Sequence, residues 1–254
     1  MDAALEETLE SGMDIANGLH NRLADIHELA ELAATNGRKL FDVRHTSVTF
    51  EVATGKKRMG KRLLTVGTDC SVGKMYASLA IEQEMQRRGI RASFRATGQT
   101  GILIAGGGVS VDAVIADFIS GAVEALSPDQ ESDHWDVIEG QGSLFHPSFA
   151  GVSLGLLHGA QPDVLVMCHE PTRGHMRGLP EYPLPSLEHC IAANEAAARL
   201  TNPKATCIGI SLNTSVLDEA EALDLLGKTE ARIGLPCVDV LRTGVARLVD
   251  CLPV

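Results

Sequence analysis

The chain has 254 residues, of which 44% are hydrophobic, so it can bury one large core or two modest ones. Its formal net charge of -11, from 22 Lys+Arg and 33 Asp+Glu, argues against partners such as nucleic acid or an anionic membrane surface. No apolar run reaches the ~18 residues needed to span a bilayer. Six cysteines without a C-x-x-C pair are typical of reduced thiols, which favours a cytoplasmic protein.

The spacing of apolar residues predicts a helical segment over 1–37, within a first unit that extends to residue 45. Residues 46–254 follow as an α/β domain in which apolar strands alternate with helices. "FDVRH" and "SVTFEVA" are short candidate strands, and "TGKKRMGKR" is a basic turn. Further strands are predicted at Leu63–Gly67, "RASFRA", "WDVIEG", "DVLVMCH", "CIGISLN" and "CVDVL". Helices are predicted at 74–88, 109–126, 151–159, 186–200, 216–228 and 243–251. This alternation predicts a doubly wound, mostly parallel sheet.

The stretch "GTDCSVGKM" has the G-x-x-x-x-G-K spacing of a phosphate-binding P-loop, with a strand before it and a helix after it. Backbone N–H groups in such a loop converge on an anion, and the lysine adds a positive charge. The predicted phosphate-binding residues are Gly67, Thr68, Asp69, Cys70, Ser71, Val72, Gly73, Lys74 and Met75. The fold class is therefore P-loop NTPase-like.

Met75 stands where a P-loop enzyme that uses magnesium carries Ser or Thr. A thioether is a poor ligand for Mg²⁺, which prefers oxygen, and phosphoryl transfer relies on that metal. Holding a diphosphate needs only the N–H groups and Lys74. The loop is thus better suited to binding a phosphorylated cofactor than to cleaving one, and we predict no metal site.

Ligands of parallel sheets bind beyond the carboxyl ends of the strands, so polar residues after each strand are site candidates. Glu139 ends one strand and could act as a general base, as a metal ligand or as a brace for the P-loop. "CHEPTRGHMRG" supplies His169, a base suited to neutral pH, and Arg173 and Arg177, which can bind carboxylates. Further candidates are Arg95, Gln99 and Asn213, which follow two other strands. "RGLPEYPLPSLEH" is a predicted loop and a candidate lid.

Four strings together, "GTDCSVGKMYASLAIEQEMQRRG", "VIEGQGSLFHPSF", "CHEPTRGHMRG" and "ISLNTS", resemble the D-glutamate N-acetyltransferase family. The resemblance covers about residue 10 to the end, with the motifs in the same order and spacing. It implies a P-loop domain preceded by a Rossmann-like domain, of which this chain carries the final part. The fold also resembles that of dethiobiotin synthetase and related ATP-dependent enzymes.

The resemblance implies transfer of an acetyl group from acetyl-CoA to the amine of D-glutamate. Coenzyme A carries phosphates but needs no magnesium, which suits a P-loop followed by Met75. On this hypothesis Thr68–Lys74 bind the phosphates and Asn213 approaches the adenine. Arg95, Gln99, Arg173 and Arg177 would contact the substrate, and Glu139 or His169 would take its proton.

Two alternatives remain open at the level of sequence. One is a ligase or kinase of the dethiobiotin-synthetase type that uses ATP and Mg²⁺, and the other is a non-catalytic nucleotide-sensing module. We expect a small-molecule substrate and a homo-oligomer, without nucleic-acid or membrane partners.

Overall fold

The N-terminal unit is a small α/β arrangement within the computed structural model, which describes residues 3–46 and 48–253. Its elements are α1 (Ala3–Glu10), β1 (Ile15–Asn17), α2 (His27–Thr35) and β2 (Leu40–Asp42). The two strands pair in parallel, and the buried residues Leu9, Ile15, Leu29 and Ala33 form a separate small core beside them. The unit therefore has a hydrophobic core of its own.

The continuous helix predicted over 1–37 is wrong, although the strand predicted in "FDVRH" is confirmed by β2. Gly12, with φ of +82°, lies just after α1 in the left-handed conformation that favours glycine. The apolar spacing that suggested one helix belongs to α1 and α2, which lie on either side of β1. The strand predicted in "SVTFEVA" is also wrong for 48–53, where the structure has neither helix nor strand, while Ser47 lies outside the described residues.

The P-loop unit follows and contains the remaining elements. Its strands are β3 (Lys61–Gly67), β4 (Ala92–Arg95), β5 (Trp135–Ile138), β6 (Val164–His169), β7 (His175–Met176), β8 (Leu179–Pro183), β9 (Thr206–Leu212) and β10 (Cys237–Val238). Its helices are α3 (Lys74–Arg87), α4 (Gln99–Ala105), α5 (Ile119–Leu126), α6 (Ala150–Ala160), α7 (Leu187–Ala198), α8 (Glu219–Ile233) and α9 (Ala246–Val249).

Six of these strands form one sheet in the order β10-β9-β6-β3-β5-β4, and every neighbouring pair is parallel. This confirms the doubly wound parallel sheet. Since β3 lies between β5 and β6, the loop after β3 is flanked by the loops that follow those two strands. The P-loop, Glu139 and His169 consequently meet at one edge of the sheet.

The sheet is buried on both faces because helices pack against each of them. Successive residues of a strand point to opposite sides and so enter different core clusters. Leu64 belongs to one core cluster, which includes Ile119 from α5 and Leu156 from α6. Leu63 belongs to the other, which includes Ile81 from α3 and Leu248 from α9. These two layers explain why the strands read as almost continuous apolar runs.

Three connections differ from the prediction, the first being the one after β4, where α4 forms although no helix was predicted. The helix predicted over 109–126 is replaced by two 3₁₀ turns at Val111–Ala113 and Ala116–Phe118, followed by α5. The segment predicted as a loop or lid contains the strand β8, which forms an antiparallel hairpin with β7 just before the segment. Within the described ranges, no helix combines the length and the apolar character needed to cross a bilayer.

Candidate active site

The loop between β3 and α3 has the backbone conformation that its sequence predicts. Ser71 and Gly73 adopt left-handed φ values of +54° and +98°, and Gly73 immediately precedes α3. A Cβ added at Gly67 would lie 2.9 Å from Val72 Cγ2 and 3.0 Å from Lys74 Nζ, so a side chain there would crowd the loop. In the part of the chain that the structure describes, no protein acceptor is found for the N–H groups of Ser71, Val72 and Gly73. These groups can therefore bind an anion.

Lys74 connects the P-loop with the loop that follows β5. Its Nζ donates to the main-chain oxygens of Asp69 at 2.8 Å and Gly142 at 2.9 Å. Lys74 also borders a cavity that lies over the P-loop and is called the cavity below. Burial lowers the pKa of Lys74, against the raising effect of nearby groups that include Cys168. Two of its three protons are used by these carbonyls, which leaves one for a ligand.

Asp69 and Arg173 hold the P-loop in place. The Asp69 carboxylate is fully buried and accepts hydrogen bonds from Arg173 Nη1 at 2.6 Å and from the N–H of Arg177 at 2.7 Å. Arg173 Nη1 also donates to the main-chain oxygen of Cys70 at 2.7 Å. Its Nη2 contacts the main-chain oxygen of Ser71 and the carboxylate of Glu170. Arg173 does not line the cavity and braces the loop in this arrangement, while its contact with a substrate carboxylate stays a prediction.

Glu139 lies between the P-loop and the start of α4, and it lines the cavity. Its Oε2 accepts hydrogen bonds from the N–H groups of Thr97 at 2.9 Å and Gly98 at 3.1 Å. Burial raises the pKa of Glu139, and the hydrogen bonds from Thr97, Gly98 and Gln141 partly offset that rise. A carboxylate with a raised pKa is a better proton acceptor than an ordinary one, which suits a general base.

His169 occupies a different environment behind the loop. Its Nδ1 shares a 2.9 Å hydrogen bond with Thr68 Oγ1, and it does not line the cavity. Burial lowers the pKa of His169 to about 4, with a further lowering from the charges of Arg232 and Arg173. The ring is therefore neutral near pH 7 and lies apart from the cavity wall.

Arg95 is not positioned as a substrate ligand. Its Nε donates at 2.8 Å to Asp136, whose side chain is buried, and Arg95 is absent from the cavity wall. Burial of Asp136 makes this ion pair part of the scaffold beneath β4 and β5. The contact of Arg95 with substrate stays a prediction, and in this structure its side chain pairs with Asp136.

Three residues beside the P-loop have the side-chain types of a metal site. Potential ligand atoms of Asp69, Cys70 and His146 lie within 4.8 Å of one another. The His146 ring is already engaged, because Nδ1 accepts from the N–H of Ser148 and Nε2 lies 3.2 Å from the main-chain oxygen of Arg177. With Asp69 also hydrogen-bonded on both oxygens, this cluster is better described as a hydrogen-bonded support for the loop.

A cavity of about 990 Å³ lies over these elements. It is lined by nine of the predicted site residues: Cys70, Ser71, Gly73, Lys74, Met75, Gln99, Glu139, Arg177 and Asn213. The predicted residues that do not line it are Gly67, Thr68, Asp69, Val72, Arg95, His169 and Arg173. The cavity volume is large enough for an elongated cofactor together with a small substrate.

Comparisons with known proteins agree with this architecture. Residues 51–249 match the family model described as "Domain of unknown function (DUF1611_C) P-loop domain". Residues 1–46 match "Domain of unknown function (DUF1611_N) Rossmann-like domain". The chain belongs to the DUF1611 family. Both domains of the family model are thus represented, which confirms the fold class.

Two curated relatives carry a functional name. A "D-glutamate N-acetyltransferase" of Tritonibacter scottomollicae is 57% identical over 248 residues, which cover 98% of this chain and 74% of that protein. A second "D-glutamate N-acetyltransferase", from a Pseudoalteromonas species, is 56% identical over 245 residues, which cover 96% of this chain and 74% of that protein. A crystal structure of a DUF1611 family protein from Anabaena variabilis has a TM-score of 0.92 and 39% identity, and the match covers 99% of this chain and 75% of that one.

The DUF1611_N segment contributes two residues to the cavity that sequence reasoning missed, His20 and Arg44. Asp112, from the P-loop unit, lies on the same wall and forms an ion pair with Arg44. A signal for Arg44 was available, because it closely follows the strand in "FDVRH", and polar residues after strands were the criterion used elsewhere. The cavity is consequently built by both family domains.

Proposed function

We propose that this chain is a D-glutamate N-acetyltransferase, which moves the acetyl group of acetyl-CoA to the α-amine of D-glutamate. The observation that carries the proposal is a P-loop that has free N–H donors and a lysine but a thioether in place of the metal-binding hydroxyl. The names of the two curated relatives support the same activity.

The phosphates of coenzyme A fit the donors of the P-loop. The N–H groups of Ser71, Val72 and Gly73 lack protein acceptors in the described structure, and they lie beside the helix N-terminus that favours anions. Lys74 adds a proton donor at the cavity wall. Asn213, at the end of β9, borders the same cavity and is our candidate for contact with the adenine.

Glu139 is the favoured general base. The amine of D-glutamate must lose a proton before it can attack, and Glu139 is a buried carboxylate on the cavity wall whose pKa is raised by burial. The amine nitrogen then forms a bond to the thioester carbon, and the carbon–sulfur bond breaks. The nitrogen loses its second proton as the amide forms, and the departing thiolate takes up a proton, so one proton is released in total.

Direct transfer is favoured over an acyl-enzyme. Burial raises the pKa of Cys70, although Lys74 opposes that rise, so its thiol stays protonated. Ser143 is buried, and its Oγ donates to the main-chain oxygen of Thr68 at 3.0 Å. We expect no burst of free coenzyme A when acetyl-CoA is mixed with the enzyme alone. A stoichiometric burst would establish an acyl-enzyme instead.

Calorimetry with acetyl-CoA and with ATP, each with and without Mg²⁺, tests the proposed donor. We expect acetyl-CoA to bind equally well in both conditions. Binding of ATP only with Mg²⁺, together with no binding of acetyl-CoA, would favour the ATP-dependent ligase or kinase. A coupled assay of thiol release with D-glutamate then tests the transfer itself.

Lys74→Ala tests the role of the P-loop lysine. Loss of a charge-assisted hydrogen bond should cost about 1.5–3 kcal/mol, so we expect acetyl-CoA to bind roughly 10- to 100-fold more weakly. The affinity for D-glutamate should change little. Lys228→Ala is the matched control, because Lys228 lies on the surface in an ion pair with Asp224. Equal weakening of both ligands by Lys74→Ala would contradict the assigned role.

A further inference from the structure

An ion pair between the two domains forms part of the cavity wall. Arg44 follows β2 in the N-terminal unit, and Asp112 lies in the first of the two 3₁₀ turns before α5, Val111–Ala113. Their side chains are in direct contact, and both residues line the cavity. The Arg44 side chain is 8% exposed, whereas that of Asp112 is 34% exposed.

The ion pair is held from both sides but keeps unused hydrogen-bonding capacity. Arg44 Nε donates to the main-chain oxygen of Gly18 at 3.1 Å, and Nη1 contacts Asp112 Oδ2. Asp112 Oδ1 accepts from Ser110 Oγ at 2.7 Å. Among the residues that the structure describes, Arg44 Nη2 has no hydrogen-bond partner. The guanidinium is thus fixed in orientation and retains free donors at a cavity wall.

We propose that Arg44 and Asp112 form the recognition site for the α-carboxylate and the α-ammonium of an amino acid. The inference rests on the proposed function for the acceptor's identity and adds the residues that would select it. A guanidinium beside a carboxylate matches the two opposite charges that an amino acid carries on one carbon. A dicarboxylate without an ammonium group should bind more weakly, because it has no positive charge to place beside Asp112.

The remaining carboxylate of a dicarboxylic amino acid has a candidate partner in Arg177. Arg177 also lines the cavity, and its guanidinium donates a hydrogen bond to Ser71 Oγ. Arg177 belongs to the hairpin beside the P-loop, whereas Arg44 belongs to the N-terminal unit. An acceptor that contacts Arg177 with its second carboxylate would therefore lie between the two domains. Amino acids without a second carboxylate should then bind more weakly.

The competing explanation is that Arg44 and Asp112 only clamp the two domains together. A clamp would affect every ligand of the cavity alike, whereas a recognition site affects a ligand according to the group that it carries. Calorimetry with three probes separates these explanations: D-glutamate, 4-aminobutyrate, which lacks the α-carboxylate, and glutarate, which lacks the amine. Each is titrated into the enzyme saturated with coenzyme A.

For Arg44→Gln we expect D-glutamate to bind roughly 10- to 100-fold more weakly, with little change for 4-aminobutyrate. For Asp112→Asn we expect weaker binding of D-glutamate with little change for glutarate. Either variant is sufficient if the other does not fold. Arg22→Gln is the matched control, since it removes an exposed pair with Asp25 in the same domain.

Equal losses for all three probes would overturn the recognition site and leave the clamp. Failure of the wild-type protein to bind D-glutamate more tightly than 4-aminobutyrate and glutarate would also overturn it. The proposed function fails separately, when the wild-type protein shows the expected binding pattern but transfers no acetyl group.

Discussion

At the scale of single residues, His169 shows how position changes the role of a side chain. The sequence makes it a plausible base, because it follows a strand whose end faces the P-loop. Because it is hydrogen-bonded to Thr68 and burial lowers its pKa to about 4, we propose a supporting role for it instead. A buried neutral imidazole also makes folding sensitive to acid.

The sign of that sensitivity follows from the shift. The folded pKa lies below the ordinary value of 6.5, so the unfolded state binds the extra proton first as the pH falls. Stability is therefore lost between about pH 6.5 and pH 4, by up to about 3 kcal/mol at 1.36 kcal/mol per pH unit. We predict that His169→Gln removes most of this loss.

Urea unfolding at several pH values measures the effect as a difference between variant and wild type. Taking the difference is necessary because Glu139, whose pKa is raised by burial, contributes with the opposite sign. His27→Gln, at an exposed position on α2, serves as the control. If His169→Gln instead abolished turnover and left the pH dependence of unfolding intact, His169 would be restored as the base.

At the scale of elements, α4 and the loop after β5 together position Glu139. The first turn of α4 approaches the carboxylate so closely that a Cβ at Gly101 would lie 2.3 Å from Glu139 Oε2. Gly101 thus leaves room for the carboxylate to reach the N–H groups of Thr97 and Gly98. This contact is what fixes the general base in the proposed reaction.

We predict that Gly101→Ala displaces Glu139 and lowers kcat by at least about 100-fold, which is the lower end of a general base's contribution. The affinity for acetyl-CoA should stay within about twofold, because the P-loop is untouched. Gly151→Ala is the matched control: Gly151 also lies in a helix, α6, and its added Cβ would meet nothing within 4 Å. Unchanged kcat in Gly101→Ala would contradict the role given to Glu139.

Elements also show how far the sequence could go. The strand prediction succeeded for β3 and β6 because both are apolar on each face, and that pattern survives without knowledge of the partners. The helix prediction missed α4, because its sequence "QTGILIA" is short and contains a glycine. The position of α4 also depends on its contact with Glu139. The contacts of Arg95 with Asp136 and of Arg173 with Asp69 were equally out of reach, because these two buried carboxylates are distant in sequence from the arginines.

At the scale of the whole molecule, opposite edges of the sheet have different tasks. The cavity lies at the carboxyl edge, while two buried arginines, Arg58 and Arg62, lie at the amino edge. Arg58 donates to the main-chain oxygens of Ser127 and Gly159, near the ends of α5 and α6. The sequence "TGKKRMGKR" suggested only a basic turn, since spacing cannot show which cations are buried.

Arg62→Met tests this separation of stability from binding. Arg62 is 1% exposed, and its guanidinium donates to Ser127 Oγ at 2.9 Å and to the main-chain oxygen of Pro128 at 3.0 Å. The substitution leaves both acceptors without their donor, so at about 1–3 kcal/mol for each buried acceptor we expect the free energy of unfolding to fall by about 2–6 kcal/mol. Because the change is remote from the P-loop, the folded fraction should bind acetyl-CoA within about twofold of the wild-type affinity.

Urea unfolding and calorimetry at low temperature measure the two effects, and Lys228→Ala again serves as the surface control. A loss of acetyl-CoA affinity at unchanged stability would mean that the amino edge is coupled to the site, contrary to this division.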